Sequence, residues 1–339
     1  MSTTFWYEKP GNINDVVVSS RVRLARNIRG IPFTSKLNKI GAEEVISRVK
    51  NVVDIIDRRF NFFNSKDLNK LQKLSLLESH IISPDFIKST LPTALAVSND
   101  ESFSVMVNEE DHVRLQVFSS GFNLEETYNA ADYIDDFFNE QLGFSFSEEF
   151  GYLTQCPTNL GIGMRASLML HLPALKINGI MSKLPDSLFK LGLTIRGTYG
   201  EGTNSLGDMY QISNQITLGI TEKAAIKNLE NVSMQLISQE KKFRDGLKNN
   251  IKVLDKIHRS FGILSNCRLL SAEDLLELSS NIRLGIAIGE IKNITFNTVN
   301  LLIFNAQNAN NQLKYDKDLT STEQNELRAK FVRKVLADY

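Results

Sequence analysis

Arg21 and Arg23 lie two apart in Ser19-Ser20-Arg21-Val22-Arg23, directly after the apolar run 16–18. In an extended segment, alternation puts both on one side. Two guanidinium forks side by side suit a polyphosphate. A solvated edge strand would carry the same residues. Asn108-Glu109-Glu110-Asp111-His112 sets three adjacent carboxylates at a polar turn, with Arg114 four residues beyond Glu110. Adjacent carboxylates repel one another, so this is either a solvated turn or a site for a cation. Arg196-Gly197-Thr198-Tyr199-Gly200-Glu201-Gly202 places an arginine and a glutamate in a glycine-rich segment, and the stretch from Gly202 to Gly207 could move as a lid. Taken singly, Cys156 reads as a buried thiol and His80 as a satisfied histidine. His171 and His258 attract no role, and Cys267 reads as a packing residue.

Several nucleotide motifs are excluded. Gly161-Ile162-Gly163-Met164-Arg165-Ala166 has dinucleotide-fingerprint spacing, but Cys156-Pro157-Thr158-Asn159 before it is no hydrophobic strand. Arg165 also stands where a helix N-terminus should receive a pyrophosphate. There is no phosphate-binding loop ending in Gly-Lys-Ser/Thr, and no His-Arg-Asp or Asp-Phe-Gly of ordinary protein kinases. What remains is Arg21, Arg23, Arg114, Arg165 and Arg196, two separated glutamates and a thiol. Many guanidinium groups without a metal cage suggest a magnesium nucleotide held by its phosphates. The carboxylates then want a planar cationic acceptor.

Elements must position these groups. Val105 and Val107, then Val113, Leu115 and Val117, alternate about the polar turn and predict a hairpin. A further pair of strands is expected over 209–220, and helices over 128–138 and 181–191. From Thr221, a plausible N-cap, Ile226, Leu229, Val232, Leu236, Phe243 and Leu247 recur at helical spacing. A second tail helix is expected after Ser271, an asparagine-rich loop over 293–312, and a last helix packing through Leu327, Phe331 and Val335. The expected division is a catalytic domain over 16–240 and a helical module over 241–339 for packing or oligomerisation.

The chain has 339 residues, 42% of them hydrophobic, with 39 basic and 39 acidic side chains. That length supports one large domain or a large and a small one. Zero net charge disfavours a nucleic-acid binder. Two cysteines without zinc-ligand spacing suggest a reducing cytoplasm. The N-terminus lacks signal-peptide character, and no apolar run is long enough for a membrane span.

The combined motifs resemble the ATP:guanido phosphotransferases, to which creatine and arginine kinases belong. The resemblance rests on Asn108-Glu-Glu-Asp-His112, Cys156-Pro-Thr-Asn-Leu-Gly161 and Arg196-Gly-x-x-Gly-Glu201, in this order after Ser-Ser-Arg-Val-Arg, and runs from about 16 to 240. Leu170-His171-Leu172-Pro173, Ser213-Asn214-Gln215-Ile216-Thr217-Leu218-Gly219 and the helical tail resemble the bacterial branch that phosphorylates protein arginines. The helical N-terminal domain of phosphagen kinases has no counterpart here.

The resemblance implies an α+β fold, an antiparallel sheet flanked by helices like that of glutamine synthetase, followed by an all-helical domain. It implies ATP and Mg2+, with the metal held through the phosphates and no protein metal site. Arg21, Arg23, Arg114, Arg165 and Arg196 would clamp the phosphates. Ser19, Ser20, Val22, His80, the segment Arg165, Ala166, Ser167, Leu168, Met169, and Gly197, Thr198, Tyr199, Gly200 and Glu201 would line the nucleotide site. Glu110 and Glu201 would hold and deprotonate the acceptor guanidinium, with Cys156 as a thiolate against it. Implied partners are arginine-bearing protein substrates, a zinc-finger-type activator, Clp protease machinery in stress response, and a second copy in a homodimer; nucleic acid and membrane are not expected. The rival readings are a kinase for a free guanidine and a non-catalytic adaptor. Two positions depart from the pattern. Ile162 replaces a threonine, with loss of a hydroxyl expected beside the nucleotide. Gln324-Asn325-Glu326-Leu327-Arg328-Ala329 replaces a phosphoarginine-binding Arg-Asp-x-x-Arg-Ala, which puts that feedback in doubt.

Overall fold

The computed structural model describes residues 4–56, 60–198, 205–313, 315 and 319–337. Ten strands alternate with helices in its first two thirds. They are β1 (Val17–Arg26), β2 (Phe60–Asn64), β3 (Ala94–Ser98), β4 (Phe103–Val107), β5 (Val113–Ser120), β6 (Phe146–Ser147), β7 (Gly151–Tyr152), β8 (Met164–His171), β9 (Leu193–Gly197) and β10 (Met209–Asn214). The helices there are α1 (Lys39–Ile55), α2 (Lys70–Glu78), α3 (Pro84–Lys88), α4 (Leu124–Leu142), α5 (Pro173–Ile177), α6 (Leu184–Phe189) and α7 (Glu222–Asp245). The tail holds α8 (Ile251–Asn266), α9 (Ala272–Ile288), α10 (Phe296–Asn305), α11 (Asn308–Gln312) and α12 (Ser321–Leu336).

Eight strands form one sheet in the order β2-β3-β4-β5-β1-β8-β10-β9, every neighbour antiparallel. The fold is therefore α+β, with an antiparallel sheet, flanking helices and a helical C-terminal region. Side chains alternate across each strand, and the two faces differ. Val22, Leu24, Leu115, Val117, Ala166 and Leu168 point to one face and are buried against Val49, Ile134, Phe138, Leu229 and Leu236 of α1, α4 and α7. Full burial of each valine or leucine among them contributes roughly 1.5–3 kcal/mol. The opposite face carries the arginines. Leu95, Met106, Phe118 and Met209 at its flanks join Trp6 and Phe86 in a second core, which continues into Leu275, Val299, Leu302 and Val332 of the tail.

Local chemistry sets several boundaries. Thr221 caps α7 by accepting from Ala224 N at 3.2 Å, and Ser271 caps α9. The expected boundary at 240 falls inside α7. The expected strand pair over 209–220 is one strand, because Asn214 turns its amide onto the carbonyls of Met164 and Ile216 and ends the ladder. The 181–191 helix is confined to α6 by Pro185 and by Gly192 at φ +71°. Helix α8 had no expectation attached. The asparagine-rich stretch is helical, not a loop: Thr295 caps α10, and Glu78 accepts from the Ala309 and Asn310 amides at the start of α11. In α12 the buried stripe is Arg328, Ala329, Val332 and Leu336, one position round from the expected Leu327, Phe331 and Val335, which are half-buried.

A buried ionic knot ties α7 to the sheet. Glu240 accepts from the Ala174 and Leu175 amides at 3.1 and 2.9 Å and from Arg244 at 2.8 Å. Arg244 also donates to the Asp15 and His171 carbonyls. Removing one partner leaves an uncompensated buried charge. Glu240→Ala should therefore lose roughly 3–5 kcal/mol of stability in urea unfolding; a loss below about 1 kcal/mol would show that the knot relaxes without cost.

Candidate active site

The alternation of β1 brings the arginines together. Arg21 lies opposite Phe118 of β5 and Ser167 of β8, and Arg23 opposite Gln116 and Arg165. Ala25 faces Arg114, and Arg196 of β9 faces Gln211 of β10. Directly paired residues of an antiparallel sheet share a face. All five arginines, carried by β5, β1, β8 and β9, thus project from one face of the sheet. Arg21 donates to Ser167 Oγ at 3.4 Å and to Gln211, and its guanidinium lies 5.6 Å from the Phe118 ring centre. Arg165 donates to Ser213 Oγ at 3.4 Å.

These cations crowd one another. Burial, then Arg114 and Arg165, lowers Arg21 to about 9. Burial, then Arg21, Arg114 and Arg165, holds Arg23 well below its ordinary value, and burial with Arg196 and Arg114 lowers Arg165. A polyanion among them relieves this repulsion, so the face is suited to a polyphosphate. Beside Arg21, His80 sits in a turn at φ +59°. Burial and the Arg21 and Arg23 charges lower it to about 4, so it is neutral near pH 7. It lines a small pocket with Trp6, Ser19, Arg21, Phe118, Ser167, Met169 and Gln211.

The carboxylate turn between β4 and β5 is not a solvated turn. Burial pushes Glu109 up, but Arg114 and hydrogen bonds from Arg114, Ser83 and the Glu110 amide outweigh it and hold the carboxyl below its ordinary value. Arg114 thus pairs with Glu109 rather than Glu110. Asp111 accepts from Asn27 Nδ2 at 2.6 Å and from the Gln155 amide at 2.7 Å. That second bond draws the cysteine segment onto the turn. His112 Nδ1 accepts from Ile28 N at 3.0 Å, and Nε2 lies 2.8 Å from the Pro32 carbonyl. The ring is therefore neutral with its proton on Nε2. All three carboxylates line a cavity, but Glu110 alone is half-buried, and it has no arginine partner among the described residues.

That cavity, about 130 Å³, is lined by Arg23, Arg114 and Arg165 together with Glu109, Glu110, Asp111, Cys156, Thr158 and Asn159. Glu110 is hydrogen-bonded to Cys156, and Cys156 Sγ lies 3.0 Å from Thr158 Oγ1. Burial, then Asp111 and Glu109, raises the Glu110 carboxyl. An adjoining pocket holds Arg165, Arg196, Thr194, Asn214, Gln215 and Thr217. Arginine cations thus meet a carboxyl group of raised pKa and a thiol across one small volume. Among the described residues, no group of three or more His, Cys, Asp or Glu could hold a metal ion.

The expected site residues divide by strand parity. Ser19, Arg21, Arg23, Ser167 and Met169 line the cleft. Ser20, Val22, Ala166 and Leu168 do not: their side chains enter the opposite face, where Ser20 Oγ donates to the Gly121 carbonyl at 2.8 Å. Gly197 ends β9, and the Thr198 amide bonds the Met209 carbonyl. Tyr199, Gly200 and Glu201 lie outside the described residues, as do 202–204 of the expected lid. Ile162 packs in the apolar core while its backbone bonds Arg26 and Thr217, so the methyl-rich side chain does not stand beside the cleft. The segment after Gly163 runs as strand β8, not as the helix a dinucleotide fingerprint needs. Gln116, Phe118, Gln211 and Ser213 escaped the sequence reading. Period-two counting from Arg114 along 114, 116 and 118 marks the first two.

The fold and cleft define a phosphotransferase for guanidino groups. The catalytic-domain profile of the ATP:guanido phosphotransferases matches residues 43–243, and the chain belongs to that family. A second profile, described as the protein-arginine kinase McsB C-terminal domain, matches residues 250–339. Proteins named protein-arginine kinase from Clostridium acetobutylicum and Clostridium novyi are 44% and 43% identical, each aligned over 98% of this chain and over 99% and 98% of their own lengths. The duplicated taurocyamine kinase of Schistosoma mansoni, solved with transition-state-analogue components, superposes with a TM-score of 0.63 at 27% identity, over 71% of this chain and 35% of that one. A lombricine kinase superposes at 0.61 with 23% identity, over 72% and 70% of the two chains, a likeness of fold.

The raised Glu110 carboxyl has a kinetic consequence. Below its pKa it is protonated and cannot accept a proton, so kcat/KM should fall with decreasing pH starting above the ordinary glutamate value of about 4.3. Glu110→Gln should lose roughly 10²–10⁴-fold in turnover and flatten that acid limb, with nucleotide affinity kept. Near wild-type turnover in Glu110→Gln would remove Glu110 from the chemistry.

Proposed function

We propose that this enzyme transfers the γ-phosphoryl group of ATP to arginine side chains of proteins. The observation that carries this is the shared cavity of Glu110 and Cys156 with Arg23, Arg114 and Arg165. The near-full-length similarity to proteins named protein-arginine kinase supports a protein acceptor rather than a free guanidine. The arginine face would bind the triphosphate, with His80 and its pocket at the nucleoside end. Mg2+ bound to the phosphates would neutralise part of their charge, and the arginines Arg23, Arg114 and Arg165 of the lining would neutralise more of it.

The acceptor guanidinium has pKa above ~12 and is a poor nucleophile until a proton leaves. Glu110 would grip its edge and take that proton. The freed nitrogen lone pair attacks the γ-phosphorus, an N–P bond forms, and the bond to the β-phosphate oxygen breaks with ADP as leaving group. Arg23, Arg114 and Arg165 would hold the transferring group in line, so positioning and electrostatics supply most of the acceleration. Cys156 would stand against the bound cation, and Glu201 would be the second carboxylate. No helix among the described residues is long and apolar enough to cross a membrane, and we place the enzyme in the cytoplasm. A role in stress response and in marking proteins for Clp-type proteolysis, with a zinc-finger-type activator and a homodimeric state, completes the reading.

Incubation with ATP, free arginine and an unfolded protein tests it. Acid-labile phosphate should accumulate on protein arginines; phosphate on free arginine alone would make this a phosphagen-type kinase, and none on either an adaptor.

The tail adds a regulatory prediction. Arg328 is fully buried and donates to the Ala306 and Leu270 carbonyls, both at 2.7 Å, and to Asn325 Oδ1 at 2.8 Å. Gln324 bonds Gln312 and the Leu319 carbonyl. The guanidinium is committed to packing, and the two charged partners of a phosphoarginine are absent. Losing two charge-assisted contacts costs at least ~100-fold in affinity. Free phosphoarginine at micromolar concentration should change neither activity nor sedimentation; a saturable response would locate the ligand elsewhere.

A further inference from the structure

We propose that a lysine-rimmed groove beside the acceptor turn docks acidic stretches of the protein substrate, so that arginines with acidic residues nearby in sequence are preferred targets. This rests on the protein-arginine reading above and names its substrate class. The groove, about 640 Å³, lies between α1, the end of β2 and the segment 87–93. Lys39, Lys50, Lys66 and Lys73 line it against a single carboxylate, Glu43. Lys50 pairs with Asp54, whereas no carboxylate among the described residues lies within 4.0 Å of Lys39, Lys66 or Lys73. Ile46, Ile87, Leu91 and Pro92 give it an apolar lining.

The groove is fastened to the catalytic turn. Asn108, two residues before Glu110, donates through Nδ2 to the Ala42 carbonyl at 2.9 Å and to the Pro92 carbonyl at 3.0 Å. One buried amide thus ties both groove walls to the residues that face the acceptor. The two regions have opposite charge. Glu110 draws a cation into the cavity, and the lysines draw an anion into the groove. A peptide carrying an arginine and, some residues away, aspartates or glutamates satisfies both at once. An apolar lining with lysine heads at its rim suits such a peptide. It suits nucleic acid less, because no aromatic side chain lines the groove for base stacking and the chain has zero net charge.

The test compares peptides with a single arginine and an acidic, a serine or a lysine tract on either side. The acidic tract should raise kcat/KM by roughly 10-fold through KM, with kcat unchanged, and the gain should fade at high salt. A Lys39→Gln, Lys66→Gln, Lys73→Gln triple variant should lose that preference and keep its kcat on the serine-tract peptide, which also reports an intact fold. A labelled acidic peptide without arginine should bind the wild type by anisotropy and bind the variant at least about 5-fold more weakly. Equal KM values for all three peptides, or undiminished binding to the variant, would overturn the proposal. So would groove occupancy by a single-stranded RNA probe with no acidic-peptide binding. If the wild type phosphorylates no peptide or protein arginine, the kinase reading fails, and the anisotropy measurement still decides the groove.

Discussion

Mutual repulsion among five guanidinium groups is the constraint around which this molecule is arranged. Left alone, such a cluster would disperse into solvent. Here the backbones of Arg21, Arg23, Arg114, Arg165 and Arg196 are held in the antiparallel ladders of β1, β5, β8 and β9. The other face of the same strands supplies the driving force, because Val22, Leu24, Leu115 and Leu168 are buried against three helices. Alternation thus couples a stable apolar core to an unstable charged face. The unfavourable charge is what suits the face to a polyanion.

The acceptor side obeys a different rule. Three carboxylates in succession can be buried only if most are satisfied locally. Glu109 is satisfied by Arg114 and Ser83, and Asp111 by Asn27 and the Gln155 amide. The same bonds align the turn with the Cys156 segment. Glu110 is left facing the cavity, its charge disfavoured by burial and by its two neighbours, which is the state a proton acceptor requires. The raised Glu110 carboxyl thus goes with the saturation of the groups on either side of it.

The C-terminal helices are more than an appendage. Their core is continuous with Trp6, Phe118 and Met209 on the arginine side of the sheet. His171, at the end of β8, faces Ser280 of α9 at 2.9 Å, and Ser280 donates to Asp208 at 2.6 Å. Burial and the Arg283 and Arg244 charges hold His171 neutral. The tail therefore buttresses the strand ends that border the arginine face.

The sequence by itself determined the chemistry. Through the family resemblance its motifs carry, it sufficed for the reaction class and the α+β fold, and period-two alternation sufficed for the shared side of Arg21 and Arg23, because residue types and strand parity are local properties. Ser20, Val22, Ala166 and Leu168 show the limit of motif reading: they belong to the motifs, yet parity sends their side chains into the opposite core. Which of three carboxylates is free, where Arg328 donates, and that an asparagine-rich stretch is helical were decided by the tertiary structure alone. Each depends on partners distant in sequence: Arg114 and Ser83 for Glu109, the Ala306 and Leu270 carbonyls for Arg328, Glu78 for the start of α11. A side chain's partner in three dimensions, rather than its own preference, sets whether its charge is spent on the fold or left for the reaction.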